Sequence, residues 1–150
     1  MAKTLSSLLF ACGVNGLRSP MAAGLARRRL GRDVFITSAG VTAAERMDPF
    51  AVTVCAEIGV DIAAHRPRAF EDLEDTSFDL IISLTPEAHH RAAVLTRTWA
   101  AEIEYWPTAD PSVEARGQAR EAVLDAYRAT RDRLQTRIEA RFDAAVPAAG

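Results

Sequence analysis

Residues 5–24, which read LSSLLFACGVNGLRSPMAAG, combine a short apolar run, a glycine-containing turn and a helix start. The apolar run 5–11 has the length of a β-strand and is followed by Cys12. Gly13 and Gly16 then favour a tight loop, because glycine adopts backbone conformations that other residues avoid. A strand that leads through such a loop directly into a helix is typical of the first unit of an α/β fold.

The helix that follows this loop is predicted to attract an anion to its amino end. Ser19 suits the N-cap and Pro20 suits the first helical position. The first turn of a helix has unpaired N–H groups and the positive end of the helix dipole, and both favour negative charge. We therefore predict an anion-binding loop after the first strand, with the Cys12 thiol at its rim.

The rest of the chain alternates strand and helix patterns, which predicts a doubly wound sheet of four parallel strands with helices on both faces. Residues 78–84, FDLIISL, are apolar almost throughout, as is typical of a strand covered on both sides. Residues 102–106 alternate apolar and charged side chains, which indicates an edge strand. The predicted strands are 5–11, 33–40, 78–84 and 102–106, and the predicted helices are 19–30, 47–59, one opened by Thr85 and Pro86, and 116–142.

The composition predicts one globular domain, residues 1–150, because 49% hydrophobic residues are enough for a core at this length. A net charge of -2 gives no general attraction to nucleic acid or to an acidic membrane, and neither is predicted as a partner. Cys12 and Cys55 have no disulfide or metal spacing, and Cys55 is expected to be a small buried thiol or a redox partner of Cys12. The chain has neither an export signal nor an apolar run of membrane length, so we expect a cytoplasmic protein.

Cys12, Arg18 and Asp110 are the residues that we predict to carry chemistry. Parallel strands end at one edge of a sheet, so the loop after the first strand and the loop 107–112 after the fourth open together. Loop N–H groups and Arg18 favour a Cys12 thiolate, and the Arg18 guanidinium can bind two phosphate oxygens at once. Cys12 would then form a phosphocysteine, while Asp110 protonates the leaving oxygen and later activates water. This chemistry requires no metal, and no cofactor is predicted.

The motif CGVNGLRSPMA at residues 12–22, the SAG sequence at 38–40, His65 and Asp110 followed by proline together resemble the low-molecular-weight protein tyrosine phosphatase family. Arsenate reductases of the thioredoxin-linked type share the fold of that family. The resemblance spans essentially the whole chain. It implies that Cys12 is the nucleophile, Arg18 the phosphate-binding cation and Asp110 the general acid.

The resemblance also implies roles for the residues around these three. Ser19 would stabilise the thiolate, and Asn15, Ser38 and His65 would form a hydrogen-bonded network that holds the loop. Asn15 suits such a loop independently, because asparagine tolerates the left-handed backbone region. The residues expected to surround the phosphate are Gly13, Val14, Asn15, Gly16, Leu17 and Ser19.

Three positions depart from the family pattern, in which a glycine is usual at position 14, a cysteine is frequent at 17 and aromatic residues are typical after Asp110 and its proline. Val14, Leu17 and Ser112 stand there in this chain. The expected substrate is therefore a phosphorylated protein or a small phosphomonoester whose organic group the sequence leaves open. Phosphate, arsenate or sulfate would also occupy the loop. The sequence does not indicate an oligomeric state.

Two alternatives to hydrolysis follow from the same residues. The first is arsenate reduction with an external thiol, because the thioredoxin-linked scheme uses two further cysteines and this chain has only Cys55. The second is a non-catalytic binder of phosphate or a phosphoprotein. A binder has no need of both Cys12 and Asp110, so their joint presence favours catalysis.

Overall fold

Four parallel strands form one sheet in the computed structural model of the chain, which describes residues 5–74, 76–97 and 100–142. The order across the sheet is β2-β1-β3-β4, and each neighbouring pair is parallel. The predicted doubly wound sheet is thus confirmed, and the fourth strand lies at an edge as expected. The strands are β1 (Ser7–Cys12), β2 (Phe35–Gly40), β3 (Leu80–Ser83) and β4 (Glu102–Tyr105).

The helices of the described residues connect and cover these strands. They are α1 (Arg18–Leu30), α2 (Pro49–Ala56), α3 (Pro86–Leu95), α4 (Pro111–Glu114) and α5 (Arg120–Arg141). The predicted start of α3 at Thr85 is confirmed, since the Thr85 side chain accepts a hydrogen bond from a backbone N–H group of the first turn. The Asp48 side chain caps α2 in the same way. The predicted loop 107–112 is wrong at its end, because Asp110 caps the short helix α4.

The prediction that Ser19 caps α1 is also wrong. The helix begins one residue earlier, at Arg18, and Leu17 occupies the N-cap position without a side-chain hydrogen bond. Ser19 lies inside the first turn, fully buried, and its hydroxyl faces the Cys12 sulfur instead of a backbone N–H group. Ser19 therefore does not cap the helix, and its side chain belongs to the candidate site.

The two faces of the sheet are covered by different helices, which confirms helices on both sides. Leu8, Phe10 and Cys12 of β1 pack on the face that α1, α2 and α5 cover. Leu9 and Ala11, which alternate with them, pack on the opposite face with residues of α3. Among the described helices, none combines the length and the hydropathy that a membrane span requires.

Candidate active site

The loop between β1 and α1 is held in a conformation that asparagine tolerates and most residues avoid. Asn15 has a φ of 57° and is the one non-glycine residue with positive φ in the described parts of the chain. Its side chain is fully buried and its neighbours Gly16 and Leu17 are buried too, whereas the Val14 side chain is 47% exposed. Because the Asn15 amide is buried, its polar atoms need hydrogen-bond partners within the protein.

Four groups satisfy that amide, and together they fix its orientation. The Arg68 backbone N–H donates to Asn15 Oδ1 at 2.8 Å, so this atom is the carbonyl oxygen of the amide. His65 Nε2 lies 2.8 Å from the same oxygen and must therefore donate its own proton. The Asn15 Nδ2 group donates to Ser19 Oγ and to Ser38 Oγ, both at 2.9 Å. The predicted partners Asn15, Ser38 and His65 do meet in one network.

The Ser19 hydroxyl connects the Asn15 amide to the Cys12 sulfur. Its oxygen accepts a hydrogen bond from Asn15 Nδ2, and its own proton can point at Cys12 Sγ, 2.9 Å away. The Asn15 backbone N–H donates to the same sulfur at 3.3 Å. Because an ionised sulfur can only accept, a Cys12 thiolate receives two hydrogen bonds here, an arrangement that stabilises its negative charge.

His65 remains neutral at neutral pH. Burial, and to a smaller extent the positive charges of Arg68 and Arg27, together lower its pKa from 6.5 to about 4. A neutral ring with its proton on Nε2 is the form that the Asn15 oxygen requires.

The low pKa of His65 predicts a loss of stability in mild acid. The unfolded chain binds a proton at His65 near pH 6.5, whereas the folded chain resists it down to about pH 4. The free energy of unfolding that neutral His65 contributes is therefore fully present above pH 6.5 and is lost as the pH falls towards 4.

We expect the difference in urea midpoint between the wild type and His65→Gln to narrow between pH 6.5 and pH 4. His90→Gln, at an exposed position, should show no such change, and a constant difference for His65→Gln would contradict the assignment.

Arg18 and Asp110 lie next to each other, although they are far apart in sequence. Arg18 Nη1 donates to the Thr108 carbonyl at 2.8 Å, and Nη2 lies 3.8 Å from Asp110 Oδ2. The other Asp110 oxygen, Oδ1, accepts from Ser112 N at 2.9 Å and from Ser112 Oγ at 2.6 Å. Asp110 Oδ2 is therefore the oxygen that faces the guanidinium.

Cys12, Arg18 and Asp110 line one cavity with a volume of about 280 Å³. None of the residues that line it is aromatic, which agrees with the serine that follows Asp110 and its proline. Of the residues expected to surround the phosphate, Val14, Gly16 and Leu17 also line this cavity, whereas Gly13, Asn15 and Ser19 do not. The side walls are formed by Val14, Gly16, Leu17, Ala44, Arg46, Met47, Asp48, Pro49 and Ser112.

Sequence reasoning missed the segment that supports the loop from the side of β2. The backbone N–H groups of residues 41, 42, 44 and 48 donate to carbonyls of the loop at 2.7–3.1 Å. Gly40 permits this approach, because a Cβ at this position would lie 2.8 Å from the Asn15 nitrogen. A glycine at the end of a strand was the signal available in the sequence, but it does not identify the partner backbone.

Cys55 is confirmed as a buried thiol in α2. It has no exposed surface, and burial raises its pKa to about 11, against the opposing charges of Arg131 and Arg28. Both cysteines are free thiols. Within the described residues, no group of three or more histidine, cysteine or carboxylate side chains could hold a metal ion.

The chain belongs to the low molecular weight phosphotyrosine protein phosphatase family, whose model matches residues 7–146. It is 27% identical to a glutaredoxin arsenate reductase of Synechocystis, over 90% of this chain and 95% of that protein. The low molecular weight protein tyrosine phosphatase of T. tengcongensis is 29% identical, with a TM-score of 0.70 over 89% of this chain and 95% of its own. An arsenate reductase in the phosphate binding state is 26% identical, with a TM-score of 0.69 over 91% and 96%. Its relatives thus include both phosphatases and arsenate reductases.

Proposed function

We propose that the chain is a cysteine-dependent, metal-independent phosphomonoester hydrolase that forms a phosphocysteine intermediate. The observation that carries this proposal is the double hydrogen bond to Cys12 Sγ, in a cavity that Arg18 and Asp110 also line. A buried sulfur with two donors, a bidentate cation and a carboxyl group are the three components that phosphoryl transfer to cysteine requires. Family membership supports the same chemistry.

In the first step the Cys12 thiolate attacks phosphorus and forms the S–P bond. The P–O bond to the organic group breaks at the same time, and Asp110 gives its carboxyl proton to the leaving oxygen. The Arg18 guanidinium binds two of the non-bridging oxygens, where negative charge spreads in the transition state. The products are the free alcohol and phosphocysteine.

In the second step water attacks phosphorus and the S–P bond breaks. The Asp110 carboxylate takes one proton from that water, which restores the acid form, and inorganic phosphate is released. The electron pair of the S–P bond returns to Cys12, where the Ser19 hydroxyl and the Asn15 N–H stabilise it. The two displacement steps together therefore regenerate the free enzyme.

The proposed substrates are a phosphorylated protein or a small phosphomonoester. Phosphate, arsenate and sulfate are expected to compete for the same loop. The cavity lacks an aromatic wall among its lining residues, so an aryl group gains no ring stacking there. The Thr108 and Asp110 contacts of Arg18 would be rearranged when its guanidinium binds an oxyanion.

Replacement of Asp110 tests this function through the leaving group. Asp110→Asn removes the proton that is transferred in the first step, so kcat/KM for phenyl phosphate, which does not depend on the second step, should fall by about 10²-fold or more. The loss should be much smaller for p-nitrophenyl phosphate, because p-nitrophenolate leaves without a proton. Both substrates are assayed in the presence of a chelator, which should leave the wild-type rate unchanged. Asp33→Asn, at an exposed position, is the control.

Equal losses for the two substrates in Asp110→Asn would contradict the assigned acid. A wild-type protein that hydrolyses neither substrate would contradict the proposed function itself.

Arsenate reduction with an external thiol is the second candidate, because a glutaredoxin arsenate reductase is among the relatives. Cys12 would displace water from arsenate and form an S–As bond. An external thiolate would then attack the Cys12 sulfur, so that a mixed disulfide forms and the S–As electron pair reduces arsenic(V) to arsenic(III). The second thiol must come from outside because Cys55 has no exposed surface. Absence of arsenate-dependent thiol consumption with glutathione and glutaredoxin would exclude this activity.

A further inference from the structure

Tyr127 on α5 contacts the wall of the candidate site through a buried hydrogen bond. Its side chain is 2% exposed, and its hydroxyl donates to Asp48 Oδ2 at 2.6 Å. The other Asp48 oxygen caps α2 by accepting from the Phe50 N–H at 2.8 Å, and the Asp48 N–H donates to the Gly16 carbonyl at 2.9 Å. Asp48 thus connects the phosphate loop, α2 and α5, and the Tyr127 hydroxyl holds the Asp48 carboxylate in place.

The segment that carries Asp110 packs against α5, the helix of Tyr127. Helix α4, which begins after Asp110 and contains Ser112, supplies this contact. Ser112 holds Asp110 Oδ1 through its hydroxyl and its backbone N–H. The pKa of Tyr127 is raised first by burial, then by the hydrogen bond and charge of Asp48, and further by the charge of Asp110, which agrees with this proximity. Helix α5 therefore contacts both sides of the site, one formed by α2 with Asp48 and one formed by α4 with the acid.

We propose that Tyr127 is a positioning residue, which sets the distance between the phosphate loop and Asp110 through its hydrogen bond to Asp48 and the packing of α4 on α5. This inference rests on the proposed function. The Tyr127 side chain does not line the cavity, so it acts only through its neighbours. Proton transfer depends strongly on this distance, because the acid must lie within hydrogen-bond reach of the leaving oxygen. The nucleophile depends on it less, because the Asn15 network holds Cys12 independently.

The variant Tyr127→Phe removes the hydroxyl and keeps the ring, which packs on Phe50 with 5.4 Å between centroids. We expect kcat/KM for phenyl phosphate to fall by about tenfold, since a misplaced acid transfers its proton slowly in the first step. For p-nitrophenyl phosphate, kcat/KM should change by less than about twofold, because this ratio does not depend on the second step, in which Asp110 activates water. Tyr105→Phe is the matched control, because Tyr105 stacks on His89 and does not line the cavity.

A purely structural role of Tyr127 would lower the melting temperature and reduce both activities alike. Equal losses for the two substrates, or no loss, would therefore overturn the proposal. Asp48→Asn provides a second test, because asparagine still caps a helix but no longer offers a carboxylate to the phenol. In that background Tyr127→Phe should have little further effect on phenyl phosphate.

If Tyr127→Phe does not fold, Asp48→Asn becomes the decisive variant, because it removes the carboxylate that the phenol binds and keeps a cap on α2. It should cause the same selective loss of kcat/KM with phenyl phosphate. An Asp48→Asn enzyme with the wild-type kcat/KM for both substrates would overturn the proposal. If the wild type hydrolyses neither substrate, the proposed function fails, and the role of Tyr127 fails with it.

Discussion

Replacement of Cys12 with serine is expected to lower kcat for p-nitrophenyl phosphate by at least about 10⁴-fold. A serine hydroxyl fits the same space and keeps the hydrogen bonds of Ser19 and Asn15, but it is not ionised at neutral pH and is a weak nucleophile. The cavity should therefore survive while the chemistry is lost. Steady-state assays measure the loss, and protection of the variant from thermal unfolding by inorganic phosphate shows that the loop still binds anions.

Cys55→Ala is the control for this variant, because Cys55 is the other cysteine of the chain and is buried in α2. It should keep the wild-type kcat at temperatures below its own melting point. Substantial activity in Cys12→Ser would contradict the assignment of the nucleophile.

Replacement of Arg18 with lysine is expected to lower kcat/KM by about 10²- to 10³-fold. Lysine keeps the positive charge but loses the planar pair of donors that binds two phosphate oxygens. It also cannot donate to the Thr108 carbonyl in the geometry that Arg18 Nη1 adopts at 2.8 Å. Arg32→Lys, at an exposed position in the turn after α1, should have the wild-type kcat/KM. An Arg18→Lys enzyme within a few-fold of the wild type would show that charge alone is sufficient.

The sheet could be predicted from the sequence because its strands have strong local signals. The apolar runs of β1 and β3 are too short for amphipathic helices and too uniform for an exposed strand, and both became central strands. Their parallel arrangement then brought Cys12 and the loop of Asp110 to one edge, as predicted. Element ends were less accurate, and α5 begins at Arg120 after Gly117, which has a φ of 79°.

Ser19 shows why local rules fail at a site. A serine before a proline is typical of an N-cap, and this pattern predicted the wrong role for its hydroxyl. In the folded protein this hydroxyl contacts other groups instead. Its oxygen lies 2.9 Å from Asn15 Nδ2 and 2.9 Å from Cys12 Sγ. The prediction of its contact with the thiol depended on the family resemblance and not on the helix pattern.

The support around the site could not be predicted because it joins residues that are distant in sequence. Tyr127 and Asp48 are separated by 79 positions, and their 2.6 Å hydrogen bond leaves no local pattern. The periodicity of α5 predicts only that position 127 faces the core. The Arg68 N–H that fixes the Asn15 amide is a backbone group, so no residue type indicates it.

The mass of the peptide that contains Cys12 is the most direct test of the covalent mechanism. The protein is mixed with p-nitrophenyl phosphate, denatured during steady-state turnover and digested for mass spectrometry. We expect a fraction of the Cys12 peptide to carry one additional phosphoryl group, and the Cys12→Ser variant to carry none on any cysteine. An enzyme that hydrolyses the substrate without any phosphorylated Cys12, or with the phosphoryl group on another residue, would contradict the proposed mechanism.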